Sequence, residues 1–318
     1  SLRFEDDSDS YLGRTPASAG NRKTFTFSCW LKSTNDDTYS AIFSGGASGS
    51  SYSSLWFESG NLVAFGHVSG TQYFLQGAGK YRDQSAWYHL VWQVDTTQGT
   101  AADRMKLFIN GEEITYTTNT SPSQNLDLQI NNTVTHFVGW SNGTVDQYDG
   151  YMAEVVFIDG QQLDPTSFGE FDEDSPNIWK PIDVSDLTFG TSGFYLDFED
   201  SSALGNDAAG SNNFTVNNLT AIDQSTDTCT NNFVTLNPLI IFGSNNSDFS
   251  EGNLVYDDSR GDWRAAVGTF GASSGKWYYE IKLGGGTYHQ VGIVGTTSPT
   301  SSANLIDLSQ VHGGFSFY

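Results

Sequence analysis

Sulfur, proline and positive charge are scarce in this chain. Of its 318 residues, two are cysteine, two methionine and seven proline. Cys29 and Cys229 lie far apart, so no disulfide framework can be built, and Cys29 reads as a small buried apolar residue on a strand. The five histidines are scattered without the short-spaced His or Cys pairs that a zinc site needs. Basic residues number 14 against 37 acidic ones, a formal charge of −23. Binding phosphates requires cationic surface that releases counterions, which argues against nucleic acid and against an anionic membrane surface. Such acidity suits a protein working in salty water, where screening acts over about 8–10 Å. No apolar run approaches the ~20 residues of a membrane span, and no basic-plus-apolar leader opens the chain, so no membrane insertion is expected. Helical periodicity is also missing, with no apolar i, i+3, i+4 run longer than two turns.

Aromatics (14%) and glycines (34) are plentiful instead, among much Ser, Thr and Asn. That mixture points to an all-β protein with many turns. Residues 24–30, 87–95 and 150–160 each alternate apolar with polar positions, the pattern of a strand with one face on a core. In the last of these, Ala153, Val155 and Phe157 are expected on the core face, with Met152, Val156 and Ile158 on the other. A strand apolar on both sides must be covered on both sides, and a second domain or another subunit is the expected cover. Asn110-Gly111 between two strand-like runs signals a type I′ hairpin. Pro165, Pro176 and Pro181 mark an ordered crossing loop.

Taken in order after Ser1-Leu2-Arg3-Phe4-Glu5-Asp6-Asp7, the three strands resemble the laminin-G-like branch of the concanavalin A-like jelly rolls. That resemblance implies binding of sugars or proteins more than catalysis. Residues 193–200, which usually open such a domain, here follow its last strand. The expected first domain is therefore a circular permutant running over residues 1–219, with its closing strand near 194–199. A Thr/Asp/Asn-rich connector is expected over 220–232. Over 233–318, Gly275–Leu283 followed by His289–Val294 resembles a SPRY sandwich with its later strands missing. The expected fold class is thus all-β, a tandem of antiparallel β-sandwiches.

Residues 1–20, 168–174, 178–181 and 231–238 together resemble phage virion proteins, especially from marine phages, of the kind that form tail fibres or other host-attachment appendages. This implies an extracellular particle assembled in a bacterial host, with other virion subunits and host-surface glycan as partners. A homo-oligomer, preferably a trimer, is expected. The start at Ser1 and the strand-like end at Phe315–Tyr318 suggest a segment of a longer polypeptide.

Several constellations tempt a chemical reading. Glu170, Asp172 and Asp174 alternate like the carboxylates of jelly-roll glycosidases, but they lie between Pro165 and Pro176, where a central strand is unfavourable. No Gly-x-Ser-x-Gly elbow accompanies a histidine, and His89 and His136 read as sheet residues. No catalytic residue is assigned. Asp6, Asp7, Glu154, Asp200 and Asn206 are candidate calcium ligands, since hard oxygen donors at a jelly-roll rim suit that ion. For ligand binding, the loop 140–149 is preferred, with Trp140, Asn142, Tyr148 and Asp149. Trp56 and His67 are added as residues near loops.

Overall fold

The computed structural model describes residues 1–35, 39–47, 51–68, 70–141, 147–242, 248–257, 265–285, 289, 291–293 and 315–317. They form two compact units, Ser1–Phe233 and Val234–Tyr318. The first contains strands β1 (Leu2–Phe4), β2 (Tyr11–Arg14), β3 (Thr24–Ser33), β4 (Tyr39–Ala47), β5 (Ser51–Glu58), β6 (Asn61–Val68) and β7 (Thr71–Gly77). It continues with β8 (Tyr88–Asp95), β9 (Met105–Ile109), β10 (Glu112–Glu113), β11 (Tyr116–Thr120), β12 (His136–Val138) and β13 (Gly150–Asp159). Four short strands follow, β14 (Gly169–Phe171), β15 (Trp179–Pro181), β16 (Phe194–Leu196) and β17 (Thr215–Asn217). Among the described residues the only helical pieces are single 3-10 turns. The protein is all-β.

Two antiparallel sheets enclose one core. The first has the order β1-β13-β3-β8-β9-β10, with β16 also on β13; the second has the order β11-β7-β6-β5-β4-β12-β2-β17. Phe25, Phe27, Cys29 and Leu31 on β3 alternate into the core, and they meet Phe43, Leu55, Leu62 and Leu75 from the second sheet. Phe27 stacks flat on Phe43 at 4.4 Å. Full burial of each such side chain contributes roughly 1.5–3 kcal/mol, and that is what holds the sheets together. At the β9–β10 turn Asn110 (φ 51°) and Gly111 (φ 83°) are both left-handed, as a type I′ hairpin demands.

On β13, Ala153 pairs with Trp30 but Val156 pairs with Ser28, so one extra residue is accommodated. Glu154 takes the left-handed conformation there (φ 49°). A bulge of one residue reverses which side chains face inward. Met152 therefore lies in the central core with Val155 and Phe157, while Ala153 points outward with Tyr151. The expected facing of Met152 and Ala153 is corrected by the bulge.

The expected cover is corrected as well. The outer side of this sheet is sealed by the protein's own chain. Val156 and Ile158 pack with Phe168 and Val184, flanked by Leu163, Leu187 and Phe189. Trp30, Tyr151 and Ala153 pack with Trp87 and with Trp179 of β15. No second domain or subunit is needed to bury that face. β16 and β1 lie on the same edge of β13, Leu196 opposite Val155 and Leu2 opposite Met152. They run in the same direction, end to end.

Residues 220–232, expected to be a connector, are tied into the first unit. Gln224 bridges to Leu2, and Arg3 Nη2 donates to Asp223 Oδ1 at 2.8 Å. Lys32 is fully buried, and its ammonium donates to Asp227 Oδ2 (2.9 Å), Asn232 Oδ1 (2.8 Å) and the Phe233 carbonyl (2.7 Å). All three ammonium protons are thereby used. Trp87 Nε1 donates to the other oxygen of Asp227 at 2.9 Å. Burial lowers the pKa of Lys32, and Asp227 opposes that shift.

The second unit contains β18 (Leu236–Phe242), β19 (Asp248–Ser250), β20 (Val255–Asp257), β21 (Ala265–Gly268), β22 (Val291–Ile293) and β23 (Phe315–Phe317). They pair antiparallel as β18–β21, β19–β20 and β22–β23. Gly275–Leu283, expected as a strand, is not one. No described strand offers it a ladder, and Trp277, Tyr278 and Ile281 stand exposed.

Candidate functional site

The outer face of the second sheet is built differently from that of the first. On β5–β7 the residues that do not enter the core are Tyr52, Ser54 and Trp56, then Val63, Phe65 and His67, then Gln72, Phe74 and Gln76. Cross-strand register aligns them into rows: Tyr52–His67–Gln72, Ser54–Phe65–Phe74 and Trp56–Val63–Gln76. The middle row continues through Ser44 of β4 and Phe137 of β12. Residues directly opposite each other in a ladder share a face, so all of these lie on one surface.

Two groups of aromatic rings occupy it. In the first, Phe65 lies 5.5 Å from Tyr52, 5.9 Å from Trp56 and 5.9 Å from Phe74, centroid to centroid. In the second, Trp140 packs on Tyr11 at 4.7 Å and on Phe137 at 4.8 Å. Between the groups run the short side chains of Ser54 and Ser44, and Ser44 Oγ donates to the Trp140 carbonyl at 2.8 Å. From β6 to β12 there are three strand spacings, about 14 Å. Ser54 is fully buried, and its hydroxyl has no hydrogen-bond partner; the Trp56 indole N–H on the same face has none either. The half-buried rings of Tyr52, Trp56, Phe65 and Phe74, with the amides of Gln72 and Gln76 beside them, form the kind of surface that receives the apolar faces of a ligand while bonding its polar edge.

Trp56, His67 and Trp140 of the expected site thus share this face. Tyr148 does not: it is fully buried in the core, edge-on to Phe4 at 6.2 Å. Its amide donates to the Gly139 carbonyl, which closes the loop base and turns the ring inward. Asp149 sits at the entry to β13, where its carbonyl accepts from the Thr34 amide. Asn142 lies outside the described residues. The alternation along β5–β7 could have revealed Tyr52, Phe65 and Phe74. Aromatics there occupy both parities, however, and only the register tells which parity is the outer one.

The candidate calcium ligands are not brought together. Asp6 Oδ1 accepts the Asp7 amide in a 3-10 turn, Asp200 Oδ1 accepts the Ser202 amide, and the Asn206 amide donates to the Ala203 carbonyl. Glu154 accepts a hydrogen bond from the Tyr195 hydroxyl, and burial raises its pKa. Beside Asn206, Asp207 accepts the backbone amides of Tyr195, Ala209 and Asn212. These loops spend their carboxylates on their own backbone. Among the described residues no three His, Cys, Asp or Glu side chains converge as a metal cage.

Glu170 and Asp172 flank Lys180 at 3.4 and 3.2 Å on the small β14–β15 ribbon. Lys180 holds the Asp172 carboxyl below the usual range, the opposite of what a general acid requires. Asp172 also accepts the amides of Asp174 and Ser175, which makes this a turn. Ser28 Oγ and His89 Nε2 approach to 2.8 Å in the manner of a nucleophile and its base. The Trp179 indole donates to His89 Nδ1 at 2.9 Å, so Nε2 carries the proton and faces Ser28 as a donor. Burial lowers the His89 pKa to about 3. That pair is structural.

Residues 6–163 match the family described as the concanavalin A-like lectin/glucanases superfamily. The first unit is a concanavalin A-like jelly roll. Solved structures similar to this jelly roll share the fold alone. They include a putative carbohydrate binding protein from Bacteroides ovatus (17% identity, 68% of this chain and 57% of that one, TM-score 0.45). Another is a SAP-like pentraxin from Limulus polyphemus (15%, 51% and 75%, TM-score 0.38). A third is the laminin α1 chain domains LG4-5 from mouse (15%, 56% and 44%, TM-score 0.37), so the chain spans less than two thirds of the Bacteroides and laminin chains. No curated protein sequence matches.

Proposed function

We propose that the jelly roll is a non-catalytic recognition module of a phage virion appendage, and that the open face of its second sheet binds host-surface glycan. The observation that carries the reading is the pair of aromatic groups, Tyr52–Trp56–Phe65–Phe74 and Tyr11–Phe137–Trp140, on one face of the second sheet, with Tyr52, Trp56, Phe65 and Phe74 each only partly buried. Sugar rings stack their C–H faces on such side chains, and hydroxyls bond to amides such as those of Gln72 and Gln76 beside them. The virion setting is supported by the sequence segments that resemble tail-fibre proteins, and several copies on one appendage would sum weak contacts into firm attachment.

The test is retention of the purified chain on a panel of immobilised bacterial surface polysaccharides, with the length of the polymer measured afterwards. Saturable retention with uncut polymer, abolished by Trp56→Ala together with Trp140→Ala, supports the proposal. Shortened polymer would restore a depolymerase, and absence of retention on every polysaccharide would leave a purely structural spacer.

A further inference from the structure

The chemistry of the open face also restricts what kind of glycan it takes, given that it takes one. The chain carries 37 acidic and 14 basic residues. On the cross-strand rows of this face, the one acidic or basic side chain among the described residues is Glu58, at the end of β5 beside Asn61 and Tyr39. The rest of the surface is aromatic, aliphatic, hydroxyl or amide apart from the imidazole of His67. A chain with this much acidic surface keeps one face almost free of charge, with its aromatic rings there.

An anionic sugar needs a cation to offset the loss of its hydration, and no lysine or arginine stands in these rows to supply one. The net charge of −23 would in addition repel it. A neutral sugar needs only ring faces and hydrogen bonds. The ring faces of Phe65 and Phe74 and the side-chain amides of Gln72 and Gln76 are neutral groups that such a ligand can use. The two ring groups lie about 14 Å apart across four strands. A surface of that length engages several consecutive sugars, not a chain end held in a pit.

We infer that this face takes the interior of an uncharged glycan chain lying across the strands from Phe74 to Trp140, and that it discriminates against uronic, sialic and sulfated sugars. The inference rests on the recognition reading above. It is tested by titration calorimetry of the full chain with neutral hexasaccharides of glucose, mannose, galactose and xylose, their monomers, a hexagalacturonate and a sulfated galactan hexamer. Each titration is run at low and at high sodium chloride. The expected result is binding of at least one neutral hexamer with little salt dependence, no measurable binding of its monomer, and at least about tenfold weaker binding in Phe74→Ala and in Trp140→Ala separately. Thermal unfolding of each variant separates a lost contact from a lost fold.

Binding confined to the acidic hexamers, a steep fall with salt, or a monomer competing as well as its hexamer would overturn the inference while leaving the recognition reading intact. An effect of only one of the two substitutions would overturn the bridging geometry. Retention on none of the polysaccharides, with no oligosaccharide bound, would remove the recognition reading itself.

Discussion

The two sheets of the jelly roll present outer faces of opposite fate. On β13 and β3 the outer side chains Val156, Ile158, Tyr151 and Trp30 are sealed by Phe168, Trp179 and Val184, and residues 220–232 are pinned to the same face through Asp227 and Lys32. On β5, β6 and β7 the outer side chains Trp56, Phe65 and Phe74 are comparably aromatic, yet they are only half-buried. The same sequence chemistry therefore serves stability on one face and is left available on the other. Aromatic content alone does not identify a binding surface; what decides is whether the chain spends its loops on covering it. If this contrast is right, substitutions on the sealed face should lower stability, and those on the open face should lower binding.

A large effect on stability is expected at the pin. Asp227→Ala leaves the Lys32 ammonium buried with its anionic partner gone and also frees the Trp87 indole N–H. Breaking a buried pair in this way costs about 3–5 kcal/mol. Urea unfolding should show that loss, whereas Lys32→Met combined with Asp227→Leu should recover part of it by removing both charges.

Next comes acid. His89 is buried beneath Trp30 and Trp179, and His136 is buried beside Phe43. The Asn131 amide donates to His136 Nε2 and Nδ1 faces the Val134 carbonyl, so this ring, like His89, is held neutral. Burial lowers their pKa values from 6.5 to about 3 and about 4. Below pH 6.5 the unfolded chain binds protons that the folded chain refuses, so stability rises with pH in that window. It is complete above 6.5 and is lost as pH falls toward 4 and then 3, by about 1.4 kcal/mol per unit for each ring. Urea midpoints measured at steps between pH 7 and pH 4.5 (roughly the span of these titrations) should fall steadily, and His136→Gln should flatten the slope. An unchanged midpoint would mean that these rings are not held neutral.

A smaller loss is expected at Gly111. Its φ of 83° and the Trp179 ring, 2.6 Å from where a Cβ would stand, both exclude a side chain. Gly111→Ala should cost roughly 1–3 kcal/mol of left-handed strain, with some displacement of Trp179. Thermal unfolding would register it, and a near-neutral result would show that the hairpin does not buttress the sealed face.

Much of this architecture was legible in the sequence. Alternation identified β3, β8 and β13, Asn110-Gly111 gave the hairpin, and the prolines marked the crossing loop. The facing of Met152 and Ala153 was not legible, because one left-handed residue at Glu154 reverses the alternation and its sequence carries no bulge signal such as glycine. Nor could the cover of β13 be read from the strand itself, since it comes from Phe168, Trp179 and Val184, on the segment that folds back after the strand ends. Of the candidate site residues, Trp56, His67 and Trp140, read as aromatic or polar side chains near turns, lie on the outer face of the second sheet. Tyr148 was misplaced because a loop tyrosine and a core tyrosine look alike until the register of β13 is known. The segment at Gly275–Leu283 has a good strand pattern, but a pattern needs a neighbouring ladder to become a strand.

The finest test of the contrast uses two tryptophans, one from each face. Trp179 is 9% exposed, donates to His89 and contacts Trp30, Phe171 and the Gly169 backbone. Trp179→Ala should leave a large cavity and cost about 3–5 kcal/mol. Trp56 packs edge-on against Phe65 and leaves its own N–H unpartnered. Trp56→Ala should cost well under that, about 1 kcal/mol, since a half-exposed ring loses less burial and no hydrogen bond. Glycan retention should reverse the order, falling for Trp56→Ala and holding for Trp179→Ala at temperatures where that variant is still folded. Should Trp56→Ala destabilise the fold as much as Trp179→Ala does, the aromatic rings of the second sheet would be a second core, and the open face would lose its claim to be a binding surface.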